Sequence, residues 1–235
     1  MQIDIISLFP KIFTGPLTES LLKRAQEKNI INIKIHNLRD YAQNKYRTVD
    51  DAPYGGGPGM IMKVDVFHRA LQKVIESRSN TIKDKPYIIL MTPQGKILSQ
   101  NLAKKISRYN WLIIICGHFE GYDERIRSYV DAEISIGDYI LTGGELPAMV
   151  LTDTVVRLIP GVVGKKLSLK EESLRLQTGG LKIKKLLEYP QYTRPEKYLN
   201  KKVPKILISG NHQAIANWRQ EQALKRTQKR RPDLL

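Results

Sequence analysis

Apolar and polar positions follow two periods along the first part of the chain. Continuous β-branched runs predict buried strands, and strict alternation predicts a half-exposed strand. Apolar residues three and four positions apart predict helices. In chain order the predicted elements are strand 3–9, helix 17–28, strand 31–38, helix 65–77, strand 86–91, helix 98–109, strand 111–116, helix 123–130, strand 132–136 and a helix that begins at 144 and stops at 160. Strands that alternate with helices predict an α/β fold with a mostly parallel sheet.

Three glycine-rich loops follow the predicted strand 111–116 within 28 residues. They are 117–122, 136–141 and 143–144. Glycine lets backbone amide and carbonyl groups approach a ligand, because no Cβ stands in the way. Open α/β sheets bind ligands at the carboxyl ends of their strands. Each loop alone fits an ordinary turn, but the three together predict a binding site.

Other segments carry neither pattern. Arg47–Met60 holds four glycines and two prolines, which excludes a helix or a central strand. The strand 86–91 is expected to open into the turn-like segment 92–95. Residues 165–185 are polar and are interpreted as a linker. From residue 189 onward the chain is predicted to be mostly helical, with its clearest helix at 213–230.

Charge is concentrated near the end of the chain. Lys and Arg number 39 against 23 Asp and Glu, which gives a net charge of +16. Residues 181–235 hold 14 Lys and Arg against 4 Asp and Glu, so +10 of this charge lies there. A strongly basic terminal segment next to a less basic domain indicates a polyanionic partner. A single cysteine, no signal-peptide pattern and no long apolar run predict a cytoplasmic protein without a membrane segment.

Several familiar motifs are absent from the sequence. It contains neither a Walker-type phosphate loop nor the glycine fingerprint of a Rossmann dinucleotide site. The four histidines have no metal-ligand spacing, so no metal site is predicted. Cys116 lies in an apolar run and is interpreted as a core residue. Arg157 stands four positions after Asp153, which suits an ion pair on a helix, and Glu171-Glu172 suits a solvated surface.

Seven blocks of sequence resemble bacterial tRNA (guanine-N1)-methyltransferases, the TrmD family of the SPOUT superfamily. The blocks are RTVDDAPYGGGPGM, TPQG, CGHFEGYDER, SIGDYILTGGELPAM, RLIPGVVG, YPQYTRP and ILISGNH, and the similarity runs from about Ile6 to Pro232. The resemblance implies a SPOUT-type α/β domain with a deep trefoil knot at 1–164. It further implies a flexible interdomain linker with the catalytic carboxylate at 165–188 and a basic helical tRNA-binding domain at 189–235. A homodimer with active sites shared between subunits is also implied.

The implied activity is methylation of guanine N1 in tRNA, just 3′ of the anticodon, with S-adenosyl-L-methionine as cofactor. Positions that match the cofactor-binding residues of the family are Pro93, Gly117, Glu120, Ile136, Gly137, Asp138, Tyr139, Ile140, Leu141, Gly143, Gly144 and Pro147. Apolar Ile136 and Leu141 would flank the adenine ring while backbone groups of the glycine loops contact its edges. Whether Mg²⁺ takes part is not readable from the sequence.

Methylation at N1 has two chemical requirements. A general base must remove the N1 proton, and the negative charge that develops toward O6 needs a cation or a hydrogen-bond donor. The resemblance places Arg157 at the position of the family's Arg and Glu172 at the position of its catalytic Asp. This chain therefore carries one additional methylene at the expected base, and the neighbouring Glu171 is an alternative.

The end of the predicted helix 213–230 is expected to bind tRNA. Five basic residues crowd its last turns, namely Lys225, Arg226, Lys229, Arg230 and Arg231. The first four of them are the predicted tRNA-binding residues. Stabilisation of the helix dipole is the alternative explanation, but it needs only one or two charges. Two other functions are considered: a SPOUT-type methyltransferase for another RNA base or for ribose, and a non-catalytic RNA-binding relative. The Glu in place of Asp at 172 leaves the second open.

Overall fold

The structure is a computed structural model that describes residues 1–78, 85–163, 175–179 and 182–235. It divides into two compact units, Met1–Gly164 and Lys165–Leu235. Among the described residues, no helix combines the length and the apolar character needed to cross a bilayer.

The first unit alternates strands and helices. Its strands are β1 (Gln2–Ser7), β2 (Asn32–Asn37), β3 (Asp50–Asp51), β4 (Ile61–Met62), β5 (Tyr87–Ile97), β6 (Trp111–Cys116) and β7 (Ala132–Ser135). Its α-helices are α1 (Ser20–Glu27), α2 (Val64–Glu76), α3 (Gln100–Ile106) and α4 (Glu145–Val156). Short 3-10 helices lie at Pro10–Phe13, Leu38–Tyr41 and Glu124–Tyr129, the last of which replaces the helix expected at 123–130.

Five strands form one parallel sheet in the order β2-β1-β6-β5-β7. Every residue of the central strands β1 and β6 is buried, because helices cover both faces of the sheet. One apolar layer is built with α1, α3 and α4, and the other with α2 and the 3-10 helices. Burial on both faces explains the continuous apolar runs of these strands. The prediction of a mostly parallel α/β sheet is confirmed.

The strand expected to end at Met91 continues to Ile97. Its pairing with β7 shifts register between Met91 and Lys96. A side chain at Gly95 would lie 2.4 Å from the backbone nitrogen of Ile134, so only glycine allows the two strands to approach this closely. The turn-like segment 92–95 is therefore a bulged part of the strand.

The described residues of the second unit form two antiparallel hairpins and one long helix. The hairpins pair β8 (Arg175–Gly179) with β9 (Lys182–Leu186), and β10 (Lys197–Tyr198) with β11 (Lys201–Lys202). Helix α5 spans His212–Arg230, with 3-10 helices at Lys205–Ile208 and Pro232–Leu234. The β8–β9 hairpin lies inside the expected flexible linker 165–188, so part of this segment forms regular secondary structure. Alternating residues on either side of Gly179-Gly180 are typical of a hairpin.

The core of the second unit is small. Leu186, Tyr189 and Ala223 form its buried apolar cluster. The buried Thr227 hydroxyl accepts a hydrogen bond of 2.9 Å from the backbone amide of Leu187 and donates one of 2.7 Å to the carbonyl of Ala223. These contacts attach α5 to the segment that follows β9.

Candidate active site

A cavity of about 480 Å³ opens at the carboxyl ends of β6 and β7, beside the bulged part of β5. The loop after β6, the loop between β7 and α4, and the first turn of α4 line it. This is the edge of the sheet at which open α/β folds bind their ligands. The position agrees with the binding site predicted from the three glycine-rich loops.

Eleven of the twelve residues predicted to bind the cofactor line this one cavity. They are Pro93, Gly117, Glu120, Ile136, Gly137, Tyr139, Ile140, Leu141, Gly143, Gly144 and Pro147. Asp138 is not among the lining residues. The structure thus brings three separate sequence blocks together, while their contact with a cofactor stays a prediction.

Several lining residues were not predicted. They include Gln94, His118, Ser135, Thr142 and Arg127. Four of them stand within or beside the blocks that carry the family resemblance, which is the signal that could have identified them. Arg127 lies on a separate 3-10 helix, and no feature of the sequence connects it to the cavity.

The loop before α4 packs directly on the loop after β6. The backbone amide of Gly144 donates a hydrogen bond of 2.8 Å to the carbonyl of Gly117. A Cβ on Gly144 would lie 2.7 Å from the Gly117 nitrogen and 2.8 Å from the Cys116 Cα. Backbone thus meets backbone with no room for a side chain, which requires glycine at 144.

A buried carboxylate lies beneath these loops. Glu145, at the start of α4, is 2% exposed and accepts a hydrogen bond of 2.8 Å from the Ser7 hydroxyl. The Nδ1 atom of His118 lies 3.9 Å from the second carboxylate oxygen and is buried with no hydrogen-bond partner in the described structure. Behind the wall of the cavity, a buried carboxylate therefore faces a buried histidine nitrogen.

Cys116 is not poised as a nucleophile. Its thiol is fully buried in β6. Burial raises its pKa well above the ordinary value, and the nearby Glu145 carboxylate raises the pKa further. Since the thiolate is the reactive form, this residue is inert at neutral pH. The interpretation of Cys116 as a core residue agrees with this environment.

Arg127 holds one wall of the cavity in place. Its guanidinium donates a hydrogen bond of 2.6 Å to the side-chain oxygen of Gln94 on the bulged part of β5. It also pairs with Glu133 on β7 and, at 2.9 Å, with Glu124. The hydrogen bond with Glu133 is the main cause of the raised pKa of Arg127. Arg127 thereby connects two strands and a 3-10 helix around the cavity.

Glu120 lies between the cavity and the glycine-rich segment 52–60. A Cβ on Gly59 would be 2.4 Å from the Glu120 Cγ, so the side chain rests on that glycine. The Glu120 amide also donates a hydrogen bond of 3.2 Å to the carbonyl of Met60. The segment 52–60, which connects β3 to β4, is thereby attached to the loop after β6.

The structure describes one of the two predicted catalytic residues. Arg157 is half-buried at the end of α4, and its amide donates a hydrogen bond of 3.1 Å to the carbonyl of Asp153. Glu172 lies outside the described residues. Their joint action stays a prediction.

The predicted tRNA-binding residues lie at the end of α5. Lys225 forms an ion pair of 2.6 Å with Glu221, and Arg226 donates a hydrogen bond of 3.1 Å to the carbonyl of Glu188. Lys229 and Arg230 are exposed in the last turn. Two of the four therefore already have partners within the second unit.

Sheet, cavity and glycine loops together define an α/β protein with a cavity of small-molecule size at the carboxyl edge of its parallel strands. Residues 1–235 match the family described as tRNA (Guanine-1)-methyltransferase TrmD, and the chain belongs to this family. The resemblance seen in the sequence blocks is thus confirmed over the whole chain.

Curated relatives support the same assignment. A tRNA (guanine-N(1)-)-methyltransferase of Dictyoglomus turgidum is 50% identical over 235 residues, which cover 100% of this chain and 90% of the relative. A protein of the same name from Geobacillus kaustophilus is 51% identical over 236 residues, covering 100% and 91%. Another from Endomicrobium trichonymphae is 47% identical over 239 residues, covering 100% and 99%.

Proposed function

We propose that this protein transfers a methyl group from S-adenosyl-L-methionine to N1 of a guanine in tRNA, at the position just 3′ of the anticodon. Membership of a methyltransferase family implies that methyl donor, and the names of the relatives give the guanine N1 target. The observation that carries the proposal is the convergence of the blocks TPQG, CGHFEG and SIGDYILTGG on one cavity.

The cavity suits the proposed cofactor in size and chemistry. A volume of about 480 Å³ falls within the range of small-molecule sites. Ile136 and Leu141 supply apolar surface for an adenine ring, and the backbone of Gly117 and Gly143 supplies polar groups for its edges. When bound, the cofactor provides a methyl group on a positively charged sulfur.

The deep trefoil knot of SPOUT proteins is part of this proposal. The direct backbone contacts of Gly144 with Cys116 and of Gly95 with Ile134 support it, since interlaced loops leave no room for side chains between them. The knot would also explain why the segment 92–95, the loop after β6 and the loop before α4 form one cavity wall.

Two residues of this chain would act on the guanine. Glu172 would accept the N1 proton as general base. Arg157 would stabilise the negative charge that develops toward O6. The added methylene of Glu172, relative to the family's Asp, lengthens its reach without changing the acid–base chemistry. Glu171, its neighbour, is the alternative base.

We further propose that the enzyme acts as a homodimer with shared active sites. The first two turns of α4 expose apolar side chains on the outward side, where Leu146 and Val150 are 51% and 45% exposed. Ile140, in the loop that lines the cavity, is 79% exposed. Neighbouring exposed apolar side chains of this kind are typical of a protein–protein interface. A second copy related by two-fold symmetry would cover this surface next to the cavity.

The proposal is tested by methyl transfer to unmodified tRNA. The assay uses labelled S-adenosyl-L-methionine and two transcripts that differ only in guanine or adenine at the position 3′ of the anticodon. Label in N1-methylguanosine, from the guanine transcript alone, is the expected result. Label on ribose or on another base would favour the rival methyltransferases. Transcript binding without label would favour the non-catalytic relative, and omission of Mg²⁺ shows whether the ion takes part.

A further inference from the structure

The hydroxyl of Tyr122 lies at the point where two neighbouring strands of the sheet separate. Strands β5 and β6 pair in parallel as far as Met91, which lies opposite Cys116. The Tyr122 hydroxyl donates a hydrogen bond to the carbonyl of Met91, and the backbone amide of Gly117 is hydrogen-bonded to the same hydroxyl. One side chain therefore joins the last residue of β5 that pairs with β6 to the first residue after β6.

A hydroxyl suits this position because it can donate and accept hydrogen bonds at the same time. Met91 and Gly117 are both buried, so their backbone groups need hydrogen-bond partners within the protein. Burial raises the pKa of Tyr122 above its ordinary value. The phenol therefore stays protonated at neutral pH and keeps its donor for the Met91 carbonyl.

Gly117 leaves the space that the Tyr122 side chain occupies. A Cβ on Gly117 would overlap both the ring and the hydroxyl of Tyr122. Only glycine at this position lets the hydroxyl reach the backbone amide. The missing side chain of Gly117 thus serves a contact within the protein as well as the opening of the cavity.

The neighbours of Tyr122 fix its orientation. Its backbone forms an isolated parallel bridge with Met62 of β4, and the amide of Asp123 donates a hydrogen bond of 3.0 Å to the carbonyl of Met62. The ring lies beside that of Phe67 on α2, with 6.0 Å between the ring centroids. Backbone and ring thus hold the hydroxyl in one place, which a positioning role requires.

We propose that Tyr122 is a positioning residue of the cofactor site, whose hydroxyl holds the bulged part of β5 and the loop after β6 in place around the cavity. Met91, Gly117 and Tyr122 all line that cavity, and so does Pro93 of the bulge. The identity of the ligand as S-adenosyl-L-methionine rests on the proposed function. Without the hydroxyl, two segments of the cavity wall would have to be ordered when the ligand binds, and this ordering costs affinity.

The test is Tyr122→Phe, which removes the hydroxyl and keeps the ring. It should weaken binding of S-adenosyl-L-methionine by about tenfold in calorimetric titration, the size of one lost buried hydrogen bond. The KM for the cofactor should rise by a similar factor, while kcat at saturating cofactor stays close to that of the wild type. Tyr41→Phe is the matched control, because the Tyr41 hydroxyl is hydrogen-bonded to His36 Nδ1 at 3.1 Å and Tyr41 does not line the cavity. Its affinity for the cofactor should equal that of the wild type.

A second measurement follows the hydrogen bond itself in the absence of cofactor. Hydrogen exchange of the Gly117 amide is recorded by NMR on the full chain with isotopically labelled glycine. This amide should be protected in the wild type, and its exchange should accelerate by about tenfold in Tyr122→Phe, the factor that corresponds to the same lost bond. Tyr41→Phe should leave its exchange rate unchanged. Free exchange of this amide in the wild type would overturn the proposal even if Tyr122→Phe failed to fold.

The outcomes separate this inference from the proposed function. If the wild type binds the cofactor and Tyr122→Phe binds it equally well, the positioning role alone is overturned. Equal losses of affinity in Tyr122→Phe and Tyr41→Phe would also overturn it, since they would reflect a general loosening of the first unit. A wild-type protein that does not bind S-adenosyl-L-methionine would overturn the proposed function, and exchange of the Gly117 amide would then decide whether Tyr122 holds this wall.

Discussion

The Ser7 hydroxyl donates a hydrogen bond of 2.8 Å to the buried carboxylate of Glu145, which lies 138 positions away in the chain. Ser7 ends the central strand β1, and Glu145 begins α4 at the cavity wall. Ser7 is the one partner within hydrogen-bond distance of that carboxylate among the described side chains. The bond therefore ties the carboxyl end of the buried strand β1 to the helix that carries Arg157 at its other end.

Ser7→Ala is expected to destabilise the first unit. A hydrogen bond to a charged group contributes about 1.5–3 kcal/mol, and its loss leaves the buried carboxylate without its donor. Chemical denaturation measures the free energy of unfolding. Thr18→Ala is the control, because the Thr18 hydroxyl donates an exposed bond of 3.3 Å to Gly15, and its effect should stay within about 0.5 kcal/mol. Equal effects of the two variants would contradict a special role of the Ser7 bond.

Arg127→Gln should weaken binding of S-adenosyl-L-methionine by about tenfold, or about 1.4 kcal/mol. The substitution releases Gln94 from the guanidinium and so loosens one wall of the proposed cofactor site. Calorimetric titration measures the dissociation constant, and kcat at saturating cofactor should stay close to that of the wild type. Arg125→Gln provides the matched control, since Arg125 pairs with Asp123 and does not line the cavity. Loss of affinity in both variants would indicate general unfolding of this 3-10 helix.

The buried carboxylate of Asp4 is expected to make the free energy of unfolding depend on pH in the acid range. Its carboxylate is fully buried and accepts hydrogen bonds from Trp111 Nε1 at 2.9 Å and from His36 Nε2 at 2.8 Å, and Arg78 lies 3.2 Å away. Burial raises the pKa of Asp4, but the hydrogen bonds from His36 and Trp111 and the charge of Arg78 outweigh burial and lower the pKa below its ordinary value. The folded protein therefore binds this proton less readily than the unfolded chain.

The stabilisation from Asp4 is complete above the unfolded-state pKa of about 3.9 and is lost as pH falls through the lower folded-state pKa. The free energy of unfolding of the wild type should thus decrease as the pH falls below about 4. Asp4→Asn should flatten this dependence and cost roughly 3–5 kcal/mol at pH 7, because Arg78 loses its buried partner. Asp40→Asn, which affects an exposed ion pair with Arg47, should cost under about 1 kcal/mol. If Asp4→Asn keeps a steep loss of stability at acid pH, other titratable groups cause that loss.

Glu172→Gln should lower the rate of methyl transfer by roughly 10²–10⁴-fold while cofactor binding is kept, because the amide cannot accept the N1 proton. Single-turnover kinetics at saturating tRNA measure the rate. Glu172→Asp restores the family's usual residue and should remain active. Normal turnover in Glu172→Gln with loss in Glu171→Gln would move the base to the neighbouring position.

A mixed dimer of Arg157→Ala and Glu172→Ala chains should recover activity that neither variant has alone. If the two residues act from opposite subunits, one of the two sites in the mixed dimer keeps both. Activity per mixed dimer should therefore approach half of that of the wild type. Leu146→Asp should convert the dimer to monomer in light scattering, since it places a charge on the apolar face of α4. A wild-type mass equal to one chain, or purified mixed dimers without activity, would contradict shared sites.

The sequence by itself determined the central strands, the two-sided sheet and the family. Strand 111–116 was predicted with its observed bounds because burial on both faces leaves a continuous apolar run. The residues of the cavity loops were predictable because glycine at close backbone contacts and long matching blocks are local features. Each of these signals is carried by neighbouring positions.

Only the tertiary structure decided which distant groups meet. The continuation of β5 beyond Met91 depends on the backbone of β7 packing against Gly95, and the β8–β9 hairpin depends on pairing within a segment that composition suggested was a linker. Arg127 reaches Gln94 across 33 positions, and its role follows from the register of β5 beside β7. Such contacts are determined by strand order and packing, which leave no periodic signal at the residues that make them.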